Sequence, residues 1–135
     1  MKILVPIDES DQSREALRYA HEAFPDGEIT AVHVIPVEGY WAAFTDDPEA
    51  IPRYEKAREH AEELLDAARS EVDAGIETRI ETGSPVREIV DMAGRDGFDA
   101  VVIGSHGRTG ATRVLLGSVA EAVARRSPVP VTIVR

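Results

Sequence analysis

Two rhythms of apolar and polar residues alternate along this chain. Five apolar, β-branched runs read as strands: KILVPI (2–7), EITAVHVI (28–35), ETRIET (77–82), DAVVIG (99–104) and VPVTIV (129–134). The first, second and fourth are too continuously apolar for a sheet with one wet face. They are expected to be covered on both faces, and therefore to lie in a parallel sheet. Helical patterns fill the gaps. Residues 10–24 place Ala16, Leu17, Ala20 and Phe24 on one stripe, and residues 53–74 do the same with Tyr54, Ala57, Ala61, Leu64, Leu65, Ala68 and Val72, with Gly75 as the stop. Ser84-Pro85 opens a third helix over 85–94, which buries Val86, Ile89, Val90 and Ala93. A fourth starts at Ser118, where Ser118-Val-Ala-Glu121 has the spacing of a capping box and Arg125-Arg126 suit the C-terminal end.

The order β-α-β-α-β-α-β-α-β predicts an α/β fold: one doubly wound, five-stranded parallel sheet with right-handed crossovers and helices on both faces. At 135 residues, the whole of 1–135 is expected to be a single domain. The one long irregular connection, PVEGYWAAFTDDPEAIP (36–52), carries the single tryptophan.

Composition narrows the function classes. The formal charge is −10, yet residues 101–135 hold one acid, Glu121, against five arginines, a net of +4 that leaves −14 for residues 1–100. An acidic surface disfavours nucleic acid and anionic membranes as partners, whereas the basic segment tolerates a small anion. Only Lys2 and Lys56 among the fifteen basic residues are lysine, a balance that suits a high-salt (halophile) cytoplasm. No cysteine is present, so disulfides and thiolate chemistry are excluded. With no apolar run of membrane-spanning length and no signal-peptide pattern at MKILVPID, a cytoplasmic location is expected.

The candidate chemistry sits in GSHGRTGATRVLLGS (104–118), whose glycines follow G-x2-G-x9-G and whose last glycine precedes Ser118. Ligands of open α/β sheets bind beyond the strands' carboxyl ends, where the winding reverses. If the first and fourth strands are neighbours there, Pro6-Ile7-Asp8 meets this glycine segment. Gly104 and Gly107 then permit close approach and positive φ, and successive N–H groups form an anion nest. Gly117-Ser118 open a helix whose unpaired N–H groups favour negative charge, with Arg108 and Arg113 as the nearest cations. The same glycines also suit a turn that binds nothing.

These residues closely resemble the universal stress protein family, in its nucleotide-binding branch. The resemblance spans nearly the whole chain, from ILVPIDESDQSREAL through ETGSPVREIV to VPVTIV. It implies a sheet of order 3-2-1-4-5 and ATP held between the first and fourth strands; magnesium could accompany the ATP, since it needs only one or two protein ligands beside the phosphates. Carried over by position, Asp8 would meet the ribose hydroxyls, Pro6 and Ile7 would line the adenine pocket, and Val34 would read adenine through its backbone. Gly104, Ser105, His106, Gly107, Arg108, Thr109 and Gly110, with Gly117, Ser118, Val119 and Ala120, would surround the phosphates. It also implies a homodimer, which the apolar last strand favours on its own account as an edge open to pairing.

Other roles compete residue by residue. Asp8 could cap the first helix, and Val34 and His33 are core candidates. His21 and His60 read as surface residues, and His106 as a loop constituent rather than a base. The histidines make no metal-ligand cluster. No G-K-[ST] ending or carboxylate lies within the glycine segment, so binding is better supported than hydrolysis. A receiver domain is excluded by the lack of an acceptor aspartate after the third strand and of any lysine beyond position 56. A phosphate-transferring enzyme and a nucleotide-free interaction protein remain open, as does closure of Tyr40, Trp41 or Phe44 over a bound base.

Overall fold

A computed structural model describes residues 1–37, 53–72, 75–105 and 116–135. Five parallel strands, β1 (Lys2–Pro6), β2 (Glu28–Pro36), β3 (Glu77–Gly83), β4 (Ala100–Gly104) and β5 (Val131–Val134), form one sheet in the order β3-β2-β1-β4-β5. Four helices alternate with them: α1 (Asp11–Ala23), α2 (Tyr54–Val72), α3 (Pro85–Arg95) and α4 (Ser118–Arg126). The doubly wound expectation and its strand order are both observed.

Strand alternation sorts the core into two layers. Ile3, Val5 and Ile7, with Ile29, Ala31, Ala100 and Val102, face α1 and α2. Leu4, Val32, Val34, Val101 and Ile103 face α3 and α4. The three continuously apolar runs are buried on both sides for this reason, β2 at seven successive positions. The helical stripes of α1 and α2 hold, with Ala16, Leu17 and Ala20 and with Ala61, Leu65, Ala68 and Val72 buried; in α3 Ile89 and Ala93 are buried together with Met92, whereas the expected Val86 and Val90 are only partly buried. No described helix is long and apolar enough to cross a membrane.

Two local expectations are corrected. The last strand begins at Val131 rather than Val129, because Pro130 has no N–H for the ladder; its carbonyl accepts from Val101 N–H at 2.9 Å. Ser118 is not the N-cap of α4. Gly117 takes that place (φ −60°, ψ 150°), and Ser118 is the first helical residue. Gly117 N–H donates to the Ser105 carbonyl (2.9 Å), which fixes the glycine in extended conformation, and its own carbonyl accepts from Glu121 N–H (2.9 Å). Hence the capping box does not form.

Candidate functional site

The sheet winds outward from β1 to β2 and β3 on one side and from β4 to β5 on the other. At the reversal, β1 and β4 are paired neighbours (Ile3 with Ala100, Leu4 with Val101). A crevice of about 950 Å³ opens at their carboxyl ends, a volume in the range of small-molecule sites. Pro6, Ile7, Asp8 and Val34 line it, as do Gly104, Ser118, Val119 and Ala120. Eight residues singled out from the sequence thus meet in one place. Ser105 and Gly117 are not among the lining residues; they are hydrogen-bonded to each other, so the chain that leaves β4 returns to the same point before α4 starts. His106, Gly107, Arg108, Thr109 and Gly110 lie outside the described residues, with Arg113, Tyr40, Trp41 and Phe44.

The turn from β1 into α1 is built by two serines. Ser10 is the N-cap of α1, its hydroxyl accepting from Ser13 N–H at 3.1 Å. Asp8 therefore does not cap the helix. One of its carboxylate oxygens, Oδ1, accepts from Ser10 N–H (2.8 Å) and from the Ser10 hydroxyl, which orients the group. Buried Ser13 accepts from Asp8 N–H (3.2 Å) and shares its own proton between the Asp8 and Ser10 carbonyls.

Of the two reasons expected for glycine at position 104, close approach and positive φ, the first holds and the second does not. The φ of Gly104 is not positive; among the described glycines that conformation belongs to Gly83 and Gly97. A Cβ at Gly104 would stand 2.6 Å from the carbonyl carbon of Gln12 and 2.8 Å from Ser13 N. The end of β4 is thus pressed against the first turn of α1, and the close approach is to protein backbone.

On the other side of the crevice, β2 continues past the end of β1. Ile7 N–H still donates to the Val32 carbonyl (2.7 Å), but no backbone bond joins Val34 to β1 among the described residues. Since alternate residues of a strand turn N–H and C=O to opposite neighbours, both groups of Val34 face the crevice. At the far side α4 begins with Gly117 as its N-cap and no side-chain cap, so among the described residues its first N–H groups have no partner either.

No pattern along the chain pointed to α2 reaching this site. His60 lines the crevice, with Nε2 2.8 Å from Glu9 Oε1, and its ring meets that of His33 edge-on, with 6.5 Å between centroids. His60's hydrogen bond holds the Glu9 carboxyl below its ordinary pKa, against the opposite pull of partial burial. His33 is a satisfied buried residue, as expected, and His60 is half-exposed. Among the described residues no group of three or more His, Asp or Glu is arranged to hold a metal ion.

A family model, the universal stress protein family, matches residues 1–135. The chain belongs to the universal stress protein family. One member, universal stress protein MJ0531 of Methanocaldococcus jannaschii, is 34% identical over 146 residues, covering 99% of this chain and 81% of that protein. The solved structure of UspA from Lactobacillus plantarum superposes with a TM-score of 0.84 at 26% identity, covering 100% of this chain and 97% of that one. A universal stress protein in complex with cAMP shares the fold (TM-score 0.74, 24% identity, 100% and 97% covered).

Proposed function

We propose that the crevice binds an adenine nucleotide, ATP, and that this universal stress protein acts as a regulatory module rather than a catalyst. The observation that carries this is one cleft with complementary ends. Open backbone groups of Val34 lie over β2, the uncapped N-terminus of α4 lies beyond β4, and the oriented Asp8 carboxylate stands on the turn after β1. The base would sit against Pro6, Ile7 and Val34 and the ribose at Asp8. The triphosphate would lie over Ser118–Ala120, where N–H groups and helix dipole favour an anion, within the Gly104–Gly110 and Gly117 segment.

The fit extends to magnesium only as a companion of the phosphates, since it needs one or two protein ligands there. The three lining carboxylates are already engaged, Asp8 by Ser10, Glu9 by His60 and Asp11 by Arg14, which argues against a free base and for slow hydrolysis at most. Residues 1–135 are read as one domain in a high-salt cytoplasm. Two copies would pair through β5, an edge strand whose Val131 and Ile133 backbone groups point away from β4.

Purification in high salt without added nucleotide, then mass spectrometry of whatever denaturation releases, tests the reading. The stripped protein is then titrated with ATP beside Gly117→Val. Gly117 has dihedrals open to any residue, so the variant adds bulk at the start of α4 without backbone strain. Binding that the variant loses supports the proposal. No released nucleotide and no titration signal would overturn it and direct the search to protein partners.

A further inference from the structure

The β1–β2 ladder stops one bond early, and a side chain stands where it would continue. Pro6 and Val32 are the last paired residues. The next bond of a parallel ladder would run from Val34 N–H to the Ile7 carbonyl. That bond is not made; His33 Nδ1 lies 2.7 Å from the Ile7 oxygen instead. Because a carbonyl only accepts, the partner assigns the proton to Nδ1, which donates. His33 is 8% exposed, and its ring is bordered edge-on by His60, itself tied to Glu9. Val34 is 7% exposed, with its N–H and C=O turned into the crevice. Backbone groups that are buried and unpaired are rare in native proteins, so a pair that no described residue satisfies, at a crevice, calls for a ligand.

We infer that His33 is a positioning residue for base recognition. By taking the Ile7 carbonyl, its imidazole ends the ladder and keeps Val34 N–H and C=O free. A purine edge with a ring-nitrogen acceptor beside an amino donor matches that pair. Adenine has this edge; hypoxanthine carries a carbonyl and an N–H in its place. The inference deepens the nucleotide reading above and rests on it for the identity of the ligand, but the ladder itself is testable without any ligand.

Amide exchange followed by NMR on the nucleotide-free protein comes first. Val34 N–H is expected to exchange at least about tenfold faster than ladder-bonded Val32 N–H, the order of one net hydrogen bond. In His33→Phe and His33→Leu the ladder closes and Val34 becomes protected, whereas the amide of His33→Asn donates from the same place and leaves Val34 open. Titrations follow with ATP, ITP and inorganic tripolyphosphate. The Phe and Leu variants are expected to bind ATP about tenfold more weakly and to lose discrimination against ITP, with tripolyphosphate unaffected and the Asn variant near wild type. A wild-type Val34 as protected as Val32 overturns the inference, whatever the protein binds. So does a Val34 that stays open in the Phe and Leu variants, or ATP/ITP discrimination that survives them. A His33-dependent, open Val34 in a protein that takes no ATP supports the ladder device and overturns the nucleotide reading alone.

Discussion

Replacing Gly104 with alanine separates packing from ligand binding at the most conspicuous glycine of the chain. The new Cβ would lie 2.6 Å from Gln12 C, 2.7 Å from Gln12 O and 2.8 Å from Ser13 N, where ordinary contact starts near 3.4 Å. The first turn of α1 must therefore retreat by about 0.8 Å, the difference between 3.4 and 2.6 Å. All three atoms are backbone, so no rotamer change relieves the clash. Overpacking of this kind costs about 1–3 kcal/mol, and a rigid neighbour puts Gly104→Ala near the upper end, about 2–3 kcal/mol. At about 2.1 cal/mol/K per residue of unfolding entropy, that lowers the melting temperature by about 7–11 °C. Urea denaturation and thermal melting by circular dichroism read both quantities. Gly75→Ala is the control, because nothing lies within 4 Å of its added Cβ. Both substitutions restrict the unfolded chain alike, so their difference isolates the contact. If Gly104→Ala melts within about 2 °C of the Gly75→Ala protein, α1 is not seated on β4 as described and the reasoning fails.

Three other outcomes are expected. Ser10→Ala removes the α1 cap and the anchor of Asp8, lowering stability by about 1 kcal/mol in urea titrations; an unchanged midpoint would mean that water replaces the hydroxyl without loss. Glu9 has a lowered carboxyl pKa in the folded state, so its stabilising contribution is present above the unfolded value of 4.5 and is lost as pH falls through the lower folded value. The melting-temperature gap between wild type and Glu9→Gln should accordingly close in acid below 4.5, and a gap that widens there contradicts the pairing with His60. Ile133→Pro deletes an N–H that points away from β4 and should convert a dimer to monomer in light scattering; an unchanged dimer rules out pairing through β5.

The sequence alone determined the fold class, because burial on both faces leaves a mark in the three central strands, β1, β2 and β4. Runs such as LVPI and AVVI admit only a covered parallel sheet, and the helical stripes between them fix the order of elements. Which glycine segment and which strand end would meet followed only on the condition that the first and fourth strands are neighbours, an order that the family resemblance implied and the β1–β4 pairing supplied. What the sequence could not decide was what each atom does there. Gly104 stands in the expected motif, yet its missing side chain makes room for Gln12 and Ser13, a contact between elements some ninety residues apart. Ser118 fits a capping box locally, but the bond from Gly117 to Ser105 moves the cap by one residue. His60 lies on an exposed helical position and reads as surface; only the packing of α2 over β2 brings it to Glu9 and His33. His33 was legible as a buried, satisfied residue, but the partner that satisfies it was not. Periodicity records which face is buried; hydrogen-bond partners far apart in sequence are chosen only when the strands and helices have docked.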